Sequence, residues 1–275
     1  AMGGECDFVS DIAIWYPLRV IMMILGVPEK DESLMLKLTQ EIFGSEDPDM
    51  QREGTDEERM QFMMDFFMYF SQMTADRRAN PGDDVASVIA NAVIDGQPIG
   101  EMEALGYYVI VATAGHDTTS ASTAGGLLAL MQNPEQMNKL RNDLSLLPHA
   151  IEEMFRWETP VKHFLRTATE DYTLRGRSIK EGDRLMMMYA SGNRDEEVFN
   201  NPFEFQVDRR PNKQIAFGYG VHRCLGHLLA KMEMSAFYKA LLERTTDIQL
   251  NGDPAWIHAT FVSGLKRLPV RFIPR

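Results

Sequence analysis

Phe217-Gly218-Tyr219-Gly220-Val221-His222-Arg223-Cys224-Leu225-Gly226 is a glycine-punctuated loop that delivers one cysteine to the start of a helical pattern running from Leu225 to Arg244. A helix N-terminus presents unpaired N–H groups and a partial positive charge, which lower a cysteine pKa and donate hydrogen bonds to a metal-bound sulfur. The Cys224 thiol is therefore expected to ionise readily, while Gly218, Gly220 and Gly226 let a flat ligand approach the backbone. By itself the loop leaves three other readings open: a buried structural cysteine, a nucleotide loop on Gly218-x-Gly220, or zinc held by His222, Cys224 and His227.

Upstream of the loop, residues 161 to 190 read as short strands at Phe164-Leu165-Arg166, Tyr172-Thr173-Leu174 and Arg184 to Tyr189, separated by turns at Gly176 and Gly182. Further extended pieces are expected at Phe261-Val262 and Val270 to Ile273. Elsewhere the pattern is helical, with apolar residues three and four apart in Phe8, Ile12, Trp15, Leu18, Met22 and again in Met60, Met63, Phe67, Phe70. Turn formers break it at Gly26-Val27-Pro28, Gly44 to Gly54, Asn80-Pro81-Gly82 and Asp95-Gly96-Gln97-Pro98, and Asp83 and Asp84 suit a helix start. No proline interrupts Glu101 to Gln132, so one long helix is expected there, stopped by Asn133 as the cap of the next with Pro134 in its first turn. Inside it, Ala114-Gly115-His116-Asp117-Thr118-Thr119 is anomalous. Glycine costs about 1 kcal/mol relative to alanine in a helix, and a threonine hydroxyl can take over a backbone carbonyl and bend the helix locally. The expected result is a groove for a small ligand.

The bulk composition excludes several classes. The chain has 275 residues, 44% hydrophobic and 25% charged, with 28 Lys+Arg against 40 Asp+Glu for a net charge of −12. That is globular and acidic, the wrong field for sequence-independent nucleic-acid binding. The longest apolar runs, Val20 to Val27 and Tyr107 to Gly115, fall short of the about 18 residues of a membrane span. Two cysteines, Cys6 and Cys224, make a disulfide framework improbable and point to a reducing cytoplasm. No signal peptide follows Ala1.

The cysteine loop closely resembles the haem-binding signature of the cytochrome P450 family, and Ala114 to Thr119 resembles that family's oxygen-binding motif. The resemblance covers essentially the whole chain in order, most closely the soluble bacterial class. It implies a mainly α fold with small β regions: one cytochrome P450 domain over residues 1–275, with the long oxygen-binding helix at 101–132 and the ligand loop at 217–226. The family's N-terminal third would lie before Ala1 and is not in this sequence.

By the same resemblance Cys224 is the thiolate ligand of haem b iron, with Phe217, Gly218, Gly226, Ala114 and Gly115 against the cofactor and Arg166 and His222 pairing with its propionates. Asp117 and Thr118 match the acid–alcohol pair that relays protons. Glu153 and Arg156, three apart on one helix face, match a pair that locks to an arginine from a later loop; Phe205-Gln206-Val207-Asp208-Arg209 places Arg209, ahead of Arg210, as that partner. The implied reaction splits O₂ with two electrons and two protons and inserts one oxygen atom into a C–H bond. No flavin or nicotinamide motif is present, so electrons are expected from an acidic iron–sulfur ferredoxin with its reductase, attracted by Arg223 and Lys231. Pocket positions by the same mapping are Ile110, Ala114, Val161, Phe164, Phe261 and Val262, mostly apolar. The expected substrate is a small hydrophobic terpenoid such as a monoterpene alcohol, alkylaromatics being second. The methionines between Met50 and Met73 fall where the family has a substrate lid. The competing reading is a truncated, non-catalytic haem- or ligand-binding remnant.

Overall fold

The structure, a computed structural model, describes residues 4–43, 47 and 56–275. Among them the α-helices are α1 (Trp15–Leu25), α2 (Glu32–Phe43), α3 (Asp56–Ala79), α4 (Val85–Ala90), α5 (Glu101–Ala114), α6 (Asp117–Gln132), α7 (Pro134–Asn142), α8 (Leu147–Glu158), α9 (Tyr189–Gly192) and α10 (His227–Arg244). The strands are short: β1 (Glu5–Asp7), β2 (Val93–Ile94), β3 (Gln97–Pro98), β4 (His163–Thr167), β5 (Tyr172–Leu174), β6 (Arg177–Ile179), β7 (Arg184–Met188), β8 (Thr245–Leu250), β9 (Ala255–Trp256), β10 (Leu265–Arg267) and β11 (Pro269–Pro274). This is the mainly helical architecture with small sheets expected from the sequence. By its internal contacts the chain divides into two compact units. A cysteine unit comprises Ala1–Asp7, Ala121–Trp256 and Thr260–Arg275, and a helical unit comprises Phe8–Ser120 and Ile257–Ala259.

In the helical unit each break has a local cause. Helix α1 ends at Gly26 in the left-handed region (φ 85°), where the N–H groups of Gly26 and Val27 both reach the Met22 carbonyl at 2.9 Å. Helix α4 starts where the Asp84 carboxylate accepts from the Ser87 N–H at 2.7 Å. That carboxylate also receives Arg77 Nε at 2.8 Å, and any side chain at Gly26 would strike it. Strands β2 and β3 form a hairpin around Asp95 and Gly96, both at positive φ (51° and 76°). The expected break from Gly44 to Gly54, and Met50, lie outside the described residues except for Asp47.

Two expectations for this unit need correction. Met60 and Met63 do not share a buried face with Phe70; they are 69% and 54% exposed, and the buried stripe of α3 is Phe66, Phe70 and Met73. The contact that buries α3 runs through Phe70, whose ring stacks on Tyr108 of α5 at 4.8 Å, so the helix is covered only toward its C-terminal half. The helix expected over 101–132 is two helices, α5 and α6, parted at Gly115 and His116. The carbonyls that should continue its ladder are engaged by side chains: His116 Nδ1 lies 3.0 Å from Ala112 O and Thr118 Oγ1 donates to Ala114 O at 3.3 Å.

In the cysteine unit a three-stranded antiparallel sheet in the order β1-β11-β8 ties the start of the chain to its end, with Cys6 opposite Val270. Hairpins β4-β7 and β5-β6 fill residues 163–188, in register Arg166 to Leu185 and Thr173 to Ser178. Tyr189, expected to end a strand, opens α9. Asn133 caps in an unexpected direction: its amide donates back to Ala129 O at 2.8 Å and so closes α6, while Pro134 opens α7. The core lies where α8 and α10 pack together, and Gly126 of α6 is glycine because a Cβ there would meet Met154 at 2.7 Å and the Tyr238 hydroxyl at 2.9 Å.

Candidate functional site

The cysteine loop is built by its own backbone. Gly218 and Gly220 both adopt φ 70°, a conformation that favours glycine, and the Cys224 N–H donates to Phe217 O at 2.8 Å, closing the loop just before α10. The Phe217 ring is held between Phe155 of α8, at 4.5 Å, and His227, at 6.1 Å. Cys224 is a free, exposed thiol. Its titration differs from expectation: the protein atoms gathered around the sulfur push the thiol above its ordinary value, outweighing the N–H groups of Gly226 and His227 and the charge of Arg223, which act to lower it. A bound cation is what removes a proton from such a thiol.

The same loop disposes of its alternatives. An exposed Cys224 is not a buried structural residue. No strand leads directly into Gly218-x-Gly220, as a dinucleotide loop requires. Among the described residues no three His, Cys, Asp or Glu side chains group as metal ligands, which removes the zinc reading of His222, Cys224 and His227.

A polar network with a fully buried centre is built on the helix that contacts Phe217. Arg156 donates Nε and Nη2 to the Glu153 carboxylate at 2.7 and 2.8 Å. Arg209 adds its Nε to both oxygens at 3.1 and 3.0 Å, and the Gln206 N–H and Asn212 amide complete the shell at 2.9 and 3.1 Å. Glu153 and Arg156 are 0% exposed and Arg209 5%, so the pair is not a surface one, and Arg209 rather than exposed Arg210 is the partner. The spare guanidinium donors go to carbonyls of Asn193, Pro202, Glu204, Asn200 and Asn201. Asn193 carries the network onward: its amide donates to Thr159 Oγ1 and accepts from Ile215 N, both at 2.8 Å, and Ile215 opens the segment that runs to Cys224.

Arg166 and His222 are both exposed, Arg166 donating to its neighbour's carbonyl, Leu165 O. Lys231 does not stand free as a docking cation. It pairs with Glu152 and lies 5.4 Å over the Phe217 ring, which leaves Arg223 as the exposed cation of the loop. Four pocket candidates of this unit come together: Val161 bridges to Val262, and the Phe164 and Phe261 rings meet at 5.3 Å.

In the helical unit, Ile110 and Ala114 lie one turn apart on α5 and are both exposed. Gly115 serves packing: a Cβ there would meet Ile21 at 2.5 Å and Val111 O at 2.7 Å, so this glycine reports a close approach of α1 in place of the expected groove. Asp117 sits at the start of α6, with Oδ1 3.0 Å from His116 Nε2.

A family model described as cytochrome P450 matches residues 47–246, most of the chain. The chain belongs to the cytochrome P450 family. It is 48% identical to the curated cytochrome P450-terp of Pseudomonas sp, over 98% of this chain and 65% of that protein. It is 38% identical to the steroid C26-monooxygenase of Mycolicibacterium smegmatis, over 98% and 68%. Among solved structures, a cytochrome P450 from Novosphingobium aromaticivorans superposes with TM-score 0.89 at 45% identity, covering 99% of this chain and 64% of that one. The chain thus spans about 65% of the length of P450-terp.

Haem b is the cofactor of cytochromes P450, and the residues present fit it. Gly226 has an ordinary φ of −83°, and a Cβ added there would meet nothing within 4 Å. Among the described residues no protein contact explains this glycine, whereas a flat group over the loop would. Val221 and Leu225 are each 97% exposed beside the free thiol, an apolar surface that a macrocycle would cover. Arg166 and His222 supply donors for carboxylates. The motifs assign no role to His116, Asn193 or Asn212. A buried histidine inside a helical run is the one signal among these that a sequence carries; the asparagine contacts are long-range.

Proposed function

We propose that the protein is a haem-thiolate monooxygenase in which both units belong to one cytochrome P450 domain. The haem supplies the activation of O₂ once reduced. Cys224 ligates it, Phe217, Gly218 and Gly226 lie against it, and Arg166 and His222 bind its propionates. The Glu153–Arg156–Arg209 network holds the ligand loop; the observation that supports this is its burial together with its continuation through Asn193 into Ile215.

Thr118 and Asp117 hold and pass protons. The Thr118 hydroxyl reaches Ala114 O at a long 3.3 Å, whereas Thr113 donates to Val109 O at 2.8 Å. Thr113 is committed to its helix; Thr118 is loosely held and available to another acceptor. The substrate is a small hydrophobic terpenoid, a reading supported by the mostly apolar character of Ile110, Ala114, Val161, Phe164, Phe261 and Val262 and by the similarity to P450-terp. Electrons come from an iron–sulfur ferredoxin docking near Arg223. The setting is the cytoplasm, in keeping with a chain that carries two cysteines.

The single observation that carries this reading is the free Cys224 thiol presented by the glycine loop at the head of α10. The test uses the full-length protein. Its reduced carbon-monoxide complex should show the thiolate-specific band; Cys224→Ser should lose it, and Cys6→Ser should leave it unchanged. A band that survives Cys224→Ser refutes the assignment.

A further inference from the structure

His116 is 0% exposed and sits at the break between α5 and α6. Its Nδ1 lies 3.0 Å from Ala112 O, and a carbonyl oxygen can only accept, so Nδ1 carries a proton. Its Nε2 lies 3.0 Å from Asp117 Oδ1. The other carboxylate oxygen, Oδ2, is buried and has no hydrogen-bond partner among the described residues. One side of Asp117 is thus pinned and the other is open.

We propose that His116 is a positioning residue for proton delivery: its ring, anchored at Ala112 O and set against Oδ1, orients the Asp117 carboxyl and leaves Oδ2 as the oxygen that exchanges protons. An incoming proton binds at Oδ2 and the same proton leaves from Oδ2, so charge and atoms balance over each cycle. Without His116 the carboxyl would rotate freely between its two oxygens. This deepens the monooxygenase reading and rests on it for the use of the proton.

The test uses full-length holoenzyme with ¹⁵N-histidine, in the diamagnetic reduced carbon-monoxide form. The His116 ring signals, assigned by their loss in His116→Gln, should move when Asp117 is replaced by Asn. Ring signals that Asp117→Asn leaves unmoved overturn the proposal whatever the activity. In turnover, His116→Phe should lose about 10-fold, as expected for a lost hydrogen bond to a charged group, with a raised solvent isotope effect. His116→Gln, whose amide can still donate to Oδ1, should recover part of that loss. If Asp117→Asn slows turnover and His116→Phe does not, the proposal for His116 fails and the acid–alcohol reading stands. If Asp117→Asn is itself without effect, both fall.

Discussion

The Glu153 network and the bend at His116 and Asp117 each insert charged groups into helical packing, and they complete their hydrogen bonds to opposite extents. Glu153 receives two guanidiniums, a backbone N–H and a side-chain amide, and the arginines spend their remaining donors on carbonyls. Asp117 has one oxygen against the His116 ring and one that is buried and open among the described residues. A saturated network is rigid and gains nothing by moving a proton. An open oxygen costs stability and persists where something is meant to reach it. The contrast separates a brace from a working group without reference to sequence motifs.

The strongest way to break this contrast is to remove the centre of the brace. Glu153→Ala leaves two guanidiniums buried without their anion, a loss of about 3–5 kcal/mol by comparison with other broken buried pairs. Arg156→Ala should cost as much. Chemical denaturation of the full-length protein, with haem content measured in parallel, is the check; a melting midpoint and haem content equal to the parent would mean that the network braces nothing.

A smaller effect, on the outcome of turnover and not on stability, is expected at the bend. Thr118→Ala should keep consuming oxygen and reductant while the share of reductant recovered as hydroxylated product falls by more than half and peroxide rises. Thr113→Ala, which removes a hydroxyl committed to Val109 O, is the control for helix geometry and should leave coupling unchanged. Equal coupling in both variants would make Thr118 a helix-bending residue and nothing more.

How far the sequence alone reaches follows from the range of each interaction. The loop at 217–226, the capping Asp84 and the Asp95-Gly96 hairpin are written in consecutive residues, and periodicity and turn chemistry find them. Pairing Glu153 with Arg156 needs only helix spacing, but the burial of the pair, and the parts played by Asn193 and Asn212, depend on segments 37 and 59 residues away from their partners. The parting of α5 from α6 is half legible. A threonine bend is foreseeable, whereas the second hydrogen bond, from a histidine ring to Ala112 O, is not. Gly115 misleads because a glycine that admits a ligand and one that admits Ile21 look alike in sequence. The Cys224 thiol misleads in the same way: the helix terminus is visible in the pattern, and the desolvation that overrides it is not.

A third carboxylate refines the comparison with the smallest expected effect. Glu233 of α10 is 4% exposed, and burial pushes it up to about 7 from an ordinary 4.5. Where the arginines offset the loss of water at Glu153, the balance at Glu233 falls on the side of the neutral acid. A raised folded-state pKa means that the folded protein holds this proton after the unfolded chain has released it. The associated stability is therefore fully present below pH 4.5 and is lost as pH climbs to about 7. Glu233→Gln keeps the shape and removes the charge, so it should match the parent near pH 4 and exceed it at pH 8 by about 1 kcal/mol, allowing for water that reaches the group. Urea melts of the two full-length proteins across that pH range measure the difference directly. A variant less stable than the parent at pH 8 would show that the ionised carboxylate is held by donors as Glu153 is, and Glu233 would then join the brace.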